Sequence, residues 1–157
     1  MVILLNNGGK FVQTGQPGST VGFNIAGFPS ITLGSSTLPG WSLDSSNAGS
    51  LLFNGFGNFE YSLNCCFGQT GDLNAQTGPV SLILNGTGLT PASFEVLSSG
   101  GLPSVFFAVD ILSAQTGNAG PVGTNTPPTI IPTVPEPSSL LLLLSSVAFC
   151  LKKPMMA

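Results

Sequence analysis

Two adjacent cysteines, Cys65 and Cys66, are the residues of this 157-residue chain best suited to chemistry. Adjacent thiols can close a disulfide, bind a metal ion or remain inert. A structural zinc site takes a full set of cysteine and histidine ligands, whereas this chain has no histidine and its third cysteine, Cys150, lies in a distant apolar run. We therefore predict no metal site. In an oxidising exterior we favour a disulfide, or a pair left from a more widely spaced arrangement, over catalysis.

The carboxylates are the second group that could do chemistry. Alternation with apolar neighbours predicts that Glu60 and Glu95 lie on solvated strand faces and that Asp110 is a hydrogen-bonded aspartate at a strand end. The alternative is a calcium site, because calcium prefers hard oxygen ligands such as Asp110, Asp72 or Asp44 with backbone carbonyls. No spacing of acids like that of an EF-hand supports it. Without histidine, Ser/His/Asp and Cys/His nucleophile systems are excluded.

The remaining candidate residues favour structural roles. Trp41, the only tryptophan, is predicted to be a core or edge aromatic residue, and the alternative is a stacking platform for a sugar ring. Gly86-Thr87-Gly88 leads into Leu89-Thr90-Pro91 rather than into a helix, so it is not a phosphate-binding loop. The sequence therefore predicts no catalytic residue, no metal ion and no cofactor.

In the segments that would position these residues, apolar residues recur at every second position. Alternation of apolar and polar residues indicates strands with one buried and one wet face, and clusters of Gly, Pro, Asn and Ser separate them. We predict an all-β fold, an antiparallel β-sandwich of about eight or nine short strands over residues 1–116. The predicted strands fall within residues 2–5, 10–13, 21–25, 31–33, 51–53, 59–64, 80–84, 94–96 and 105–111.

Charged residues are scarce, at 6% of the chain, with a net charge of −3. Ordinary soluble domains have roughly 25%. A nucleic-acid-binding protein needs a basic face to neutralise phosphates, so we predict that nucleic acid is not a partner. The composition suits an exported β-rich domain whose polar face consists of hydroxyls and amides.

The end of the chain has a different organisation. A Gly/Pro/Thr linker over residues 117–134 precedes Val134-Pro135-Glu136-Pro137, an almost wholly apolar run from Leu140 to Leu151, and the pair Lys152-Lys153. As a helix the run is about 18 Å long, against a hydrocarbon core of about 30 Å. The residues that precede Leu140, and lysine side chains that extend toward the membrane surface, reduce this difference in length. We predict a transmembrane helix over residues 138–151 with the lysines on the cytoplasmic side; the alternative is a buried core helix.

This arrangement resembles the PEP-CTERM sorting signal of Gram-negative bacteria, here over residues 135–153. The resemblance implies that Val134, Pro135, Glu136 and Pro137 are recognised by an exosortase, an integral-membrane enzyme that processes such tails during export. It also implies that Lys152 and Lys153 form the membrane stop.

The region before the linker resembles the extracellular part of many PEP-CTERM proteins. An aromatic strand runs into a cysteine-containing loop, and strands led by Gly78-Pro79 and containing Phe107-Ala108-Val109-Asp110-Ile111 follow it. In that family other residues commonly separate the two cysteines, whereas Cys65 and Cys66 are adjacent here. No biochemical activity is established for the region, so the resemblance implies a location rather than a reaction.

Together these features predict a non-enzymatic structural protein of the cell surface or extracellular matrix. Its partners would be the exosortase, the inner membrane during export and exopolysaccharide. The alternative is a carbohydrate-binding module for exopolysaccharide that uses Trp41 or a loop-borne calcium ion. Residues 1–7 lack the basic region and cleavage site of a signal peptide, so we expect the gene to start further upstream.

Overall fold

Short antiparallel strands make up nearly all the regular structure among the described residues. The computed structural model describes residues 1–5, 8–13, 19–45, 49–66 and 74–127. Within these ranges the only helix is one 3₁₀ turn, which confirms the predicted all-β class, and twelve strands exceed the predicted eight or nine. The strands are β1 Val2–Ile3, β2 Lys10–Phe11, β3 Val21–Phe23, β4 Thr32–Ser36, β5 Ser42–Asp44, β6 Leu51–Phe53, β7 Gly57–Phe59, β8 Tyr61–Asn64, β9 Gln76–Thr77, β10 Val80–Asn85, β11 Phe107–Leu112 and β12 Ala119–Thr124.

The strands form three antiparallel sheets. One has three strands in the order β1-β10-β4, and β6 and β7 form a separate hairpin. The largest has seven strands, in the order β5-β8-β3-β11-β2-β9, with β12 also paired to β11. One edge of β11 is shared, because Phe107–Val109 pair with β3 whereas Ile111 and Leu112 pair with β2. Its other edge pairs with β12 along all six residues. β11 is therefore the strand that organises the large sheet.

The three-stranded and seven-stranded sheets contribute to one apolar cluster, which we call the main core. Phe23 lies within it, and its ring centroid is 5.5 Å from that of Tyr61, 5.8 Å from that of Phe94 and 6.4 Å from that of Phe107. The arrangement of the sheets is sandwich-like. The buried residues of the main core are Phe11, Val21, Phe23, Ile25, Ile31, Trp41, Tyr61, Leu63, Cys65, Val80 and Leu82.

A second cluster, the hairpin core, lies where β6 and β7 meet the rest of the domain. It consists of Leu51, Phe53, Phe59, Val105 and Ala108, with Phe56 packed against it. Close contact depends on glycine in β3, because a Cβ atom on Gly22 would lie 2.6 Å from Cε2 of Phe53 and 2.9 Å from Cδ2 of Phe59.

The hairpin core corrects one expectation from the alternating pattern. The face of β3, β8 and β11 expected to be wet carries Gly22, Ser62, Ala108 and Asp110, and all four residues are buried. Small side chains leave room for the aromatic rings of the hairpin. Both faces of this part of the sheet are therefore covered.

One predicted strand is wrong. The alternation predicts a strand over residues 94–96, but Pro91–Phe94 form the 3₁₀ turn and residues 95–96 belong to no strand. Proline fixes its own φ and lacks an N–H donor, which suits the first turn of a helix. The backbone N–H of Thr90 donates to Oγ of Ser93 at 3.1 Å, and the Ser93 N–H donates to the Thr90 carbonyl at 3.0 Å. Local hydrogen bonds thus favour a turn at this point.

The predicted boundary between domain and linker also needs correction. The composition assigns residues 119–124 to the linker, but they form β12 and pair with β11 from Leu112↔Ala119 to Phe107↔Thr124. The β domain therefore continues at least to Thr124. This strand is rich in glycine and proline, so it lacks the alternating apolar residues that predict a strand. It forms because its backbone pairs with that of β11.

Candidate functional site

A disulfide joins Cys65 and Cys66 at the end of β8. Cys65 is buried in the main core, with 3% of its surface exposed, and Cys66 has a positive φ of 59°. Thr20, 45 positions earlier, holds this corner with its hydroxyl. Its Oγ1 accepts a hydrogen bond from the Cys65 backbone N–H at 3.1 Å and donates to the Cys65 carbonyl at 3.3 Å.

The same threonine links the disulfide corner to β11. Its backbone N–H donates to the carbonyl of Leu63 at 3.2 Å, and its own carbonyl accepts from the N–H of Asp110 at 2.7 Å. The corner thus joins the start of β3, the end of β8 and the middle of β11. Because Cys65 is buried and its polar atoms are paired, this geometry suits a structural cross-link.

The carboxylates are not brought together as a metal site within the described ranges. Among those residues no group of three or more His, Cys, Asp or Glu side chains is placed to hold a metal ion, and Asp72 lies outside them. Asp110 is buried in the middle of β11 rather than at a strand end as predicted. Glu95 is exposed, but it follows the 3₁₀ turn and is not on a strand.

Glu60 differs most from its predicted solvated position. It lies between β7 and β8, it is half-buried, and its Oε2 atom is buried without a hydrogen-bond partner among the described residues. Burial raises the pKa of this carboxyl, and a backbone hydrogen bond with Ile25 lowers it, burial being the larger influence. Burial also raises the pKa of the neighbouring Tyr61 hydroxyl, and the charge of Glu60 adds to that increase.

Trp41 belongs to the main core, as predicted. It is 9% exposed, and its ring lies edge-on to that of Phe11 with 5.5 Å between centroids. The indole Nε1–H donates to Oε1 of Gln76 at 2.9 Å, and Nε2 of Gln76 donates to the Pro39 carbonyl at 2.9 Å. A stacking platform for a sugar needs an exposed ring face, which Trp41 does not offer.

An apolar groove is the concave site that the sequence did not reveal. It has a volume of about 660 Å³ and lies between residues 1–5, the segment around the 3₁₀ turn, and strands β11 and β12. Phe107, Val109 and Val122 line it from the two strands, and Thr126 lies at the point where the chain leaves β12. We call this site the β1–β12 groove. Its lining residues come from distant parts of the sequence, so no local motif marks it.

The β1–β12 groove has an almost uniform chemistry. None of its lining side chains is charged, and its polar side chains are threonines. The backbone nitrogen of Met1 donates to the Leu82 carbonyl at 2.7 Å. Such a surface suits an apolar, uncharged occupant rather than a polyhydroxylated sugar.

Comparison of the chain with protein-family models, with curated proteins and with solved structures found no match. No helix among the described residues is long and apolar enough to span a membrane. The predicted sorting residues 134–137, the predicted helix 138–151 and the lysine pair 152–153 all lie outside the described residues.

Proposed function

We propose that this chain is an exported structural protein of the cell surface or extracellular matrix, sorted through its C-terminal segment by an exosortase. The observation that carries the proposal is the order of parts at the end of the sequence: Pro135-Glu136-Pro137, the apolar run Leu140–Leu151, and Lys152-Lys153. A core helix would not require a proline-rich approach and a basic stop. In this proposal the matrix partner is exopolysaccharide.

The properties of the β domain support an exterior location. We interpret its two larger sheets as a β-sandwich packed across the main core. The Cys65–Cys66 disulfide suits an oxidising compartment. The domain carries few charges, so hydroxyl and amide groups supply most of its polar surface.

The corrected end of the domain sharpens the geometry of the proposal. Only residues 125–134 separate the end of β12 from Pro135. Even in an extended polyproline-like conformation, at about 3.1 Å per residue, this linker spans about 30 Å. The folded domain would therefore stay close to the membrane surface until the tail is processed.

The proposal is tested by changing the recognition residues in the chromosomal gene, which keeps its native start of translation. In a Gram-negative host that encodes an exosortase, we expect the double variant Pro135→Ala/Glu136→Ala to stall at the inner membrane. Cell fractionation followed by immunoblotting measures its distribution. The matched control, Pro132→Ala/Thr133→Ala, changes the linker by a similar amount and should reach the surface normally. Unchanged delivery of the first variant would reject the sorting role.

A further inference from the structure

The rim of the β1–β12 groove concentrates exposed apolar surface. Met1, Val2, Leu4 and Val122 all line it, and they are 36%, 62%, 69% and 45% exposed. Contiguous apolar patches of this kind mark interaction surfaces on proteins. Since the lining also lacks charged side chains, the matching partner is an apolar segment without charges.

This chain contains such a segment, and it leaves the domain at the groove itself. Thr124 ends β12, Thr126 lines the groove, and the chain continues through residues 128–157 outside the described part. Leu140 follows Thr126 by fourteen positions, which allows a reach of about 46 Å at about 3.3 Å per residue. The run Leu140–Leu151 can therefore return to the groove without strain in the linker.

The two surfaces match in chemistry. Ser145 and Ser146 are the only polar residues of the run Leu140–Leu151, which carries no charge. In water these side chains would be exposed, and their burial against another apolar surface is favourable. We propose that the β1–β12 groove binds the Leu140–Leu151 segment of the same chain while that segment is not in a membrane.

In this arrangement the β domain shelters its own membrane segment, and a bilayer competes with the groove for it. The apolar side chains that would face the groove are the ones that would face lipid, so the two bound states exclude each other. The proposal requires only an apolar segment on the same chain. It does not rest on exosortase recognition and stands or falls separately from the sorting function.

Cysteine cross-linking of the full chain tests the proposal. Cys65 and Cys66 are joined, which leaves Cys150 as the native thiol within the apolar segment. A Leu4→Cys variant adds a second thiol at the groove, and a short bismaleimide should then link the two positions within one chain. The matched control is Leu52→Cys, because Leu52 is 57% exposed on the hairpin and does not line the groove.

We expect at least a five-fold higher yield of intramolecular product for Leu4→Cys than for Leu52→Cys, measured by mass spectrometry of peptides. Addition of phosphatidylcholine vesicles should reduce that yield to the level of the control. Adding Leu142→Asp to the Leu4→Cys chain should also reduce it, because this change lies outside the β domain and places a charge in the segment.

Two results would overturn the proposal. Equal yields at the two positions would show that the segment has no preference for the groove. Products that link only different chains would assign the groove to a second copy of the protein. Circular dichroism and an intact Cys65–Cys66 disulfide establish that each variant has folded, so a low yield cannot be attributed to unfolding.

Discussion

The two faces of the seven-stranded sheet are buried in different ways. On the face toward the main core, β3 and β8 present Val21, Phe23, Tyr61 and Leu63. On the opposite face the same strands present Gly22 and Ser62, and the rings of Phe53 and Phe59 from the hairpin lie close to Gly22. The first face is filled by its own large side chains. The second has small side chains, and the aromatic rings of the β6–β7 hairpin fill the space above Gly22.

This difference shows that a period of two need not separate a buried face from a wet one. Small residues at alternate positions are compatible with solvent, but they also permit close approach by a second layer. In β3 the absence of a Cβ atom at Gly22 decides between these outcomes. Removing side-chain volume should therefore destabilise the protein most on the face with large side chains. Adding side-chain volume should destabilise it on the face with small ones.

The largest effect is expected from removing bulk in the main core. Phe23 is fully buried among three aromatic rings, so Phe23→Ala should lower the free energy of unfolding by about 3–5 kcal/mol. Chemical denaturation measures the change. Leu52→Ala, at a position that is 57% exposed, should stay within about 0.5 kcal/mol of the unmodified protein. Similar losses for both variants would contradict the assigned core.

Adding bulk to the opposite face should have the next largest effect. Gly22→Ala places a methyl group against Phe53 and Phe59, which should cost about 1–3 kcal/mol of stability. Gly120→Ala in β12 is the control, because nothing lies within 4 Å of its added Cβ. Replacing the opposing ring by a smaller side chain, with Phe53→Leu in the Gly22→Ala background, should recover part of the lost stability. If the two losses simply add, steric conflict is not the cause.

Two buried hydroxyl groups near these strands allow a finer comparison. Thr20→Val leaves the buried N–H of Cys65 without its acceptor, and we expect a loss of about 1–2 kcal/mol in unfolding free energy. Thr20→Ser keeps the hydroxyl and should retain most of the stability. Ser62→Ala removes a donor to Oδ1 of Asn64, and since Asn64 is only half-buried, water can replace it. Thermal melts should therefore rank Thr20→Val below Ser62→Ala.

The smallest effect concerns pH. The raised pKa of Glu60 means that the folded state binds its proton more tightly than the unfolded state does, so this residue loses stabilising influence as the pH rises through its folded-state pKa. Glu60→Gln should match the unmodified protein at low pH and exceed it slightly at neutral pH, because an exposed part of the carboxyl remains screened. Melting temperatures between about pH 4 and about pH 7 measure this, and a difference that stays constant across that range would contradict the prediction.

Strands with strong alternation were predictable from sequence, and strands defined by their neighbours were not. β3, β8, β10 and β11 each place apolar residues at every second position, and the structure has strands there. β5 has one apolar residue, Leu43, and β12 is rich in Gly and Pro. These two segments are strands because they pair with β8 and β11, respectively. A local sequence pattern does not show which strands will pair.

The site residues show the same limit. The cysteine pair was visible because its members are adjacent, but its hydrogen-bonding partner Thr20 lies 45 positions away. The buried environment of Glu60 depends on the loop near Ile25, which alternation alone does not place. The β1–β12 groove depends on segments from both ends of the domain, so only the fold reveals it.

The shared edge of β11 has a consequence for the order of folding. β2 and β3 lie near the start of the sequence, and each pairs with part of Phe107–Leu112. Neither pairing can form before that segment has been made. A ribosome makes β11 after nearly all the other strands, so the large sheet cannot close while earlier parts of the chain emerge. Contacts between such distant residues also slow folding in general. Until Phe107–Leu112 have been made, β2 and β3 therefore lack the strand that joins them in one sheet.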